Sequence, residues 1–368
     1  MNRIIAVFNA GSSSLKFSVF RHADLAPLHK GAVNVPDTQD GHKVALQEVL
    51  DWLASHKDGL QLYAAGHRVV HGKDRAAPVL VMPETIAELK TLIPLAPLHQ
   101  PHNLRIIEEL AAIHPDLPQI ACFDTAFHHT QPKLASMFAL PRHFYEDGVK
   151  RYGFHGLSYE YIASELPKYE GDKAKGRVIV AHLGNGASMC AMKDLKSVVT
   201  SMGFSTLDGL MMGTRCGTLD AGVVLYMQQH LGMTADAVTD ILYHQSGLLG
   251  VSGLSADMRT LEESDALEAK EGIDLFCSMA AQHIGSLMVM LGGLDALIFT
   301  GGIGEHSWRI RRNICSYFAW MGLILDETRN KANAPDIHAP NSAIVAYVIP
   351  TNEELVIARA CRTVTQNA

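Results

Sequence analysis

The sequence predicts an α/β protein made of two related domains, and three observations point there. The stretch Asn2–Phe20 reads NRIIAVFNAGSSSLKFSVF. Its apolar run Ile4–Phe8 suits a buried strand, Ala10–Ser14 is a polar turn, and Leu15–Phe20 alternates apolar and polar like a half-buried strand. The same strand–turn–strand device returns about half a chain later, in Val178–His182 followed by LGNGAS. There Leu183 aligns with Phe8, Gly186 with Gly11 and Ser188 with Ser13, as in a duplicated fold. Finally, 368 residues exceed one ordinary hydrophobic core.

Composition limits the partners. The chain is 48% hydrophobic and 19% charged, with a net charge of −7. That is the balance of a soluble globular protein, and it argues against nucleic acid or an anionic membrane as a partner. Cys122, Cys190, Cys216, Cys277, Cys315 and Cys361 are scattered without C-x-x-C spacing, so reduced thiols in a cytoplasmic protein are expected. The apolar run before Asn9 is too short for a signal peptide, and no uninterrupted apolar run approaches a membrane span.

The first turn has two readings. It offers Gly11, three serines, Asn9 and, just beyond, Lys16. Backbone N–H groups there could nest a phosphate, with Lys16 adding a point charge; equally, this could be a Ser-rich hairpin turn.

Further along, Ala45–Ser55 is weakly amphipathic. His67-Arg68-Val69-Val70-His71 reads as a strand presenting Arg68, since the β-branched pair disfavours a zinc-binding helix. Pro94–His102 is punctuated by prolines and places His99 on a stiff loop, and Leu104–His114 is a helix. Gln119–Asp124 is a buried strand ending in an acid, where ligands bind in α/β sheets; a helix cap is the plainer reading. Arg151–Ser158 brings His155 between glycines before a helix capped by Ser158. Ser201–Gly217 is Gly-rich and carries Arg215, and Gly250–Arg259 closes on Asp257 and Arg259. Ala280–Leu291 is an apolar helix. Strand Ala296–Phe299, a Gly-rich turn Thr300–Glu305 and a helix from about Ser307 to Trp320 form a nucleotide-binding arrangement. A last strand, Ala343–Ile349, leads through Glu353 to a terminal helix Leu355–Val364. No P-loop, protein-kinase set or nucleophile elbow is present.

Together these stretches resemble the acetate/propionate/butyrate kinase family nearly end to end: FNAGSSSLKF, GHRVVHG, PLAPLH, FDTAFH, RYGFHG, HLGNGAS, MGTR, DMR, FTGGIGE and PTNEEL, in family order. The resemblance implies duplicated ribonuclease H-like domains of the actin/sugar-kinase-like ATPase kind, with a nucleotide cleft between them. The expected boundaries are 1–128 plus 355–368 for the N-terminal domain and 129–354 for the C-terminal one, which would carry the nucleotide site and a homodimer interface. It implies transfer of the ATP γ-phosphoryl group to acetate, giving acetyl phosphate and ADP, with Mg²⁺ (or Mn²⁺) as cofactor.

Site roles carried over from the family fall on matching residues. Asn9 and Glu353 would lie at the metal. Ser12, Ser14 and Lys16 would line the phosphates. Arg68 would bind the acyl carboxylate, and Val70, Leu98 and Phe154 the acyl group. His155 and Arg215 would stabilise the transferring phosphoryl group, with Asp124, His99 and His182 nearby. Leu183, Gly184, Asn185, Gly186, Asp257, Met258, Arg259, Gly302, Ile303, Gly304, Glu305 and His306 would hold the nucleotide. The chain departs from the family at His306 (usually Asn), Thr206 (often Pro), and Thr218 and Ala221 (Asp and Pro). Competing readings are propionate or butyrate as acceptor, a sugar or alcohol kinase with Asp124 as base, and a non-enzymatic ATP-dependent clamp.

Overall fold

The computed structural model describes residues 2–55 and 59–367. The chain divides into two compact units. The first comprises Met1–His129, Phe154–Tyr161 and Asn352–Ala368; the second, Thr130–Gly153 and Ile162–Thr351. The main departure from the expected boundaries is Phe154–Tyr161, which belongs to the first unit because Leu157 and Tyr161 pack with Ile5, Val7 and Ile120.

The first unit is built on a six-stranded sheet, β1 (Asn2–Ala10), β2 (Ser14–Arg21), β3 (Pro27–Asn34), β4 (Leu60–Val69), β5 (Val79–Leu80) and β6 (Gln119–Phe123), in the order β3-β2-β1-β4-β6-β5. β1, β2 and β3 pair antiparallel, and β4 and β6 add in parallel on the other side of β1. Successive residues of β1 point to opposite faces. Ile4, Ala6 and Phe8 pack on Leu46 and Val49 of the helix Gly41–Ser55 and on Ile106 and Leu110 of the helix Gln100–Ile113. Ile5 and Val7 pack on Val356, Ile357 and Cys361 of the terminal helix Glu353–Asn367. Burying each such side chain stabilises by about 1.5–3 kcal/mol. The terminal helix lies close over β4, since a Cβ at Gly66 would come within 2.4 Å of Ile357. β2 is more buried than its alternation suggests, with Phe17, Ser18, Val19 and Phe20 all inside.

The second unit repeats the plan. β7 (Val178–Leu183), β8 (Ala187–Lys193), β9 (Lys196–Thr200), β10 (Ala296–Thr300) and β11 (Val345–Val348) are ordered β11-β10-β7-β8-β9. Again three strands form an antiparallel meander, and two parallel strands extend the far side of the first. The duplicated device therefore opens both sheets. The helix Leu267–Leu291 is long and apolar enough to cross a membrane by length and composition alone. Its inner row, Phe276, Ala280, Ile284 and Leu287, is buried, and the helix packs on β8 and β9.

Several element boundaries move. The helix expected at Leu104 starts at Gln100, inside the Pro-punctuated stretch, because Pro101 sits in the first turn, where no N–H partner is lost. Ser158 lies within the helix Gly156–Glu165 instead of capping it. The Gly-rich stretch after β10 is itself the helix Gly301–His306, with Ser307 capping the next helix, Trp308–Ser316. Glu353 opens the terminal helix instead of preceding it. All six cysteines are free thiols.

Candidate functional site

In the first unit, three parallel strands and the terminal helix bring four expected residues together. Asn9 lies near the end of β1, Arg68 near the end of β4, Asp124 just beyond β6, and Glu353 opens the terminal helix. Arg68 Nε donates to Asp124 Oδ1 at 3.0 Å and Arg68 Nη2 to Asp124 Oδ2 at 2.6 Å, a two-pronged ion pair. Arg68 Nη1 reaches Asn9 Oδ1 at 3.5 Å, and Glu353 Oε2 lies 3.9 Å from Arg68 Nε. Asp124 is 1% exposed. Across the sheet, Lys16 of β2 pairs in register with Asn9.

The charges here are uneven. Burial opposes the charge on Arg68, but Asp124 and then Glu353 outweigh it and raise its pKa. Glu353 moves the other way, pushed up to about 7 chiefly by burial; Arg68 opposes this, and Asp124 and Glu354 add to it. Its closest cation stands 3.9 Å off and is already paired with Asp124. A further positive charge beside Glu353 would thus be stabilised. Asn9 Oδ1 and the Glu353 carboxylate are hard oxygen donors suited to Mg²⁺, which keeps waters and phosphate oxygens as ligands and needs no closed protein cage. Among the described residues no group of three His, Cys, Asp or Glu side chains forms such a cage. The donor set fits the ion.

His155 adopts a left-handed backbone, φ +57°, which is strained for a non-glycine residue and typical of functional positions. Of the expected acyl-binding residues, Val70 and Phe154 are buried, whereas Leu98 is exposed on the turn before the helix Gln100–Ile113. His99 occupies the N-cap position of that helix. Ser12 and Lys16 are exposed and Ser14 half-buried. His67 and His71 are buried.

In the second unit a cavity of about 490 Å³ opens among Gly184, Asn185, Ala256, Asp257, Met258, Arg259, Glu262, Gly302, Ile303, His306 and Ser307. Eight of these are expected nucleotide residues. Ala256, Glu262 and Ser307 are additions; the only sequence signal was the serine just before an amphipathic run. Ser307 Oγ donates to Glu262 Oε1 at 2.6 Å, and its oxygen accepts from Ile310 N–H. Asp257 caps its own helix, accepting from the N–H groups of Arg259 and Thr260 at 2.8 and 3.1 Å.

His182, Leu183, Gly186, Gly304 and Glu305 do not line this cavity. Leu183 and Gly304 are buried in the fold behind it. Glu305 turns inward: its Oε1 accepts from Gly301 N–H at 2.9 Å and from Thr351 N–H at 3.2 Å. Gly301 has φ +77°, and a Cβ there would stand 2.7 Å from the Leu183 carbonyl oxygen, so only glycine can begin this helix. Arg215 is held by its own loop, with Nη1 donating to the Thr206 carbonyl at 2.9 Å. Thr206 therefore contributes a backbone oxygen that a proline there would also supply.

The family model described as the acetokinase family matches residues 30–359. A protein named acetate kinase from Rhodopseudomonas palustris is 51% identical over 98% of both chains, and one from Rickettsia felis is 42% identical over 97% of this chain and 98% of its own. Among solved structures, a propionate kinase from Francisella tularensis superposes with a TM-score of 0.91 at 36% identity, covering 98% of this chain and 99% of its own. An acetate kinase from Porphyromonas gingivalis gives 0.89 at 33% identity, covering 99% and 100%. These likenesses, with the repeated sheet plan, establish the duplicated actin-like ATPase fold. The chain belongs to the acetokinase family and is a kinase.

Proposed function

We propose that the protein transfers the γ-phosphoryl group of ATP to acetate, reversibly and by direct in-line displacement, giving acetyl phosphate and ADP. The observation that carries this reading is the state of Arg68. Its Nε/Nη2 edge is fixed by Asp124, and Nη1 touches Asn9 Oδ1 only at the long distance of 3.5 Å, so the Nη1/Nη2 edge can turn two parallel N–H donors to a planar carboxylate. An acetate ion is already unprotonated at neutral pH and needs no base. Asp124, occupied with Arg68, does not suit the base that a hydroxyl acceptor would require.

Phosphoryl transfer depends on positioning and on neutralising charge. In this reading Arg68 holds the acceptor, with Val70 and Phe154 shaping the space for a short acyl chain. His155 and Arg215 bind oxygens of the moving phosphoryl group. The second unit's cavity holds the nucleotide, with Arg259 and His306 as its basic side chains. Mg²⁺, or Mn²⁺ in its place, would be held by Asn9 and Glu353 and would neutralise the phosphate oxygens.

The same reading takes the protein as a cytoplasmic homodimer. Six free thiols suit a reducing compartment. The helix Ala221–Gln229 buries no residue, yet it and its flanks expose Leu219, Val223, Leu225, Tyr226 and Leu231. Such an apolar run suits a self-association surface.

The test is formation of acyl phosphate from ATP, trapped by hydroxylamine, across acetate, propionate, butyrate and a set of sugars and alcohols. Acetate is expected first and propionate second. Turnover confined to hydroxyl acceptors, or ATP binding without carboxylate-dependent turnover, would refute the assignment.

A further inference from the structure

The helix Gly301–His306 contributes three residues to the nucleotide cavity, yet three of its six residues are glycine. Glycine costs about 1 kcal/mol per position in a helix, so this one is held in place by its surroundings. At its far end buried Arg311 donates through Nη1 to the carbonyls of Gly304 and Glu305, at 2.8 and 3.0 Å. At its start the Glu305 carboxylate folds back onto Gly301 N–H, and the same oxygen accepts from Thr351 N–H. Thr351 stands two residues before Glu353.

We propose that Glu305 is a positioning residue. One carboxylate oxygen fixes both the start of the nucleotide helix and the backbone that leads into Glu353, so that nucleotide affinity and the divalent-cation requirement depend on the same acceptor. The proposal rests on the functional reading above. It assigns Glu305 an acceptor's role: what matters is an oxygen at that place, not a negative charge facing the ligand.

The two substitutions Glu305→Gln and Glu305→Ala in the full chain separate these roles. Glutamine keeps an acceptor oxygen with the same reach; alanine removes it. Three quantities are measured: ATP affinity by calorimetry without divalent cation, the Mg²⁺ concentration for half-maximal acyl phosphate formation, and hydrogen exchange at the Thr351 amide. Alanine should weaken ATP binding about tenfold or more, raise the Mg²⁺ requirement and speed Thr351 exchange. Glutamine should stay within about threefold of the parent on all three. Parent-like ATP affinity in Glu305→Ala, or equal impairment of the two variants, overturns the proposal. If Glu305→Ala does not fold, Glu305→Gln decides alone: parent-like values support the acceptor role and impairment refutes it. A parent protein that makes no acyl phosphate would refute the functional reading instead, while the ATP affinities and amide exchange still judge Glu305.

Discussion

The Arg68 guanidinium and the Asp124 carboxylate meet edge to edge, although 56 positions separate them in the chain. The pair locks the arginine in one orientation while the carboxylate itself is almost wholly shut off from solvent. Each partner therefore depends on the other, and the two should fail differently.

In the proposed reaction, Arg68→Ala removes the acceptor clamp. A hydrogen-bonded contact with a charged group is worth about 1.5–3 kcal/mol, so the acetate KM should rise about ten- to a hundredfold while the ATP KM changes little. Steady-state kinetics with each substrate varied in turn measures this, and an unchanged acetate KM would take Arg68 out of the site.

Asp124→Asn should leave Arg68 present but loosely oriented. Both kcat and the acetate KM should suffer, and the pH–rate profile should keep its shape, because no proton passes through Asp124. Recovery of the mutant's rate at higher pH, together with loss of one limb, would instead reveal a base and restore the hydroxyl-kinase reading.

Acid should destabilise the protein through buried histidines. Burial holds His67, His71 and His128 down to about 4, against an ordinary 6.5. Between those values the unfolded chain binds protons that the folded one refuses. Stability is therefore full above about pH 6.5 and falls as pH drops toward 4, by up to about 1.4 kcal/mol per pH unit for each histidine. His128 Nε2–H donates to the Phe154 carbonyl at 2.9 Å, so His128→Asn keeps a donor and removes one titrating group. Denaturant titrations at pH 7 and pH 5 should show a smaller acid loss in the variant; equal losses would exclude His128 as a contributor.

The proposed self-association should fail when charge is placed on the exposed helix Ala221–Gln229. Leu225 and Tyr226 are each about half exposed in the single chain. Replacing both by Asp should convert a dimer to a monomer in light scattering without lowering the melting temperature of the monomer. A double variant that still dimerises would show that another surface is used.

The duplicated strand–turn–strand device and the acid after β6 were legible because burial and period are local properties. Arg68's partner was not, since pairing across parallel strands leaves no mark on spacing. The glycine-rich stretch after β10 reads as a turn because glycine is a poor helix former. It is a helix only because Glu305 and Arg311 satisfy its two ends, and Arg311 also reaches Asn330 and Asn333. Glu262 entered the cavity unannounced for a similar reason: it is recruited by Ser307, 45 positions away.

The terminal helix closes one face of the first sheet, covering Ile5 and Val7 near the beginning of the chain. A ribosome delivers those strands before the second unit and their cover after it. The first unit's core can therefore be completed only after the whole second unit has been made, and the second unit, which lacks this dependence, is free to fold before it. In the growing chain β1 and β4 wait with one apolar face open, the kind of surface that chaperones protect. Losing the last turns of the helix would thus harm strands made much earlier, far away in sequence from the missing residues.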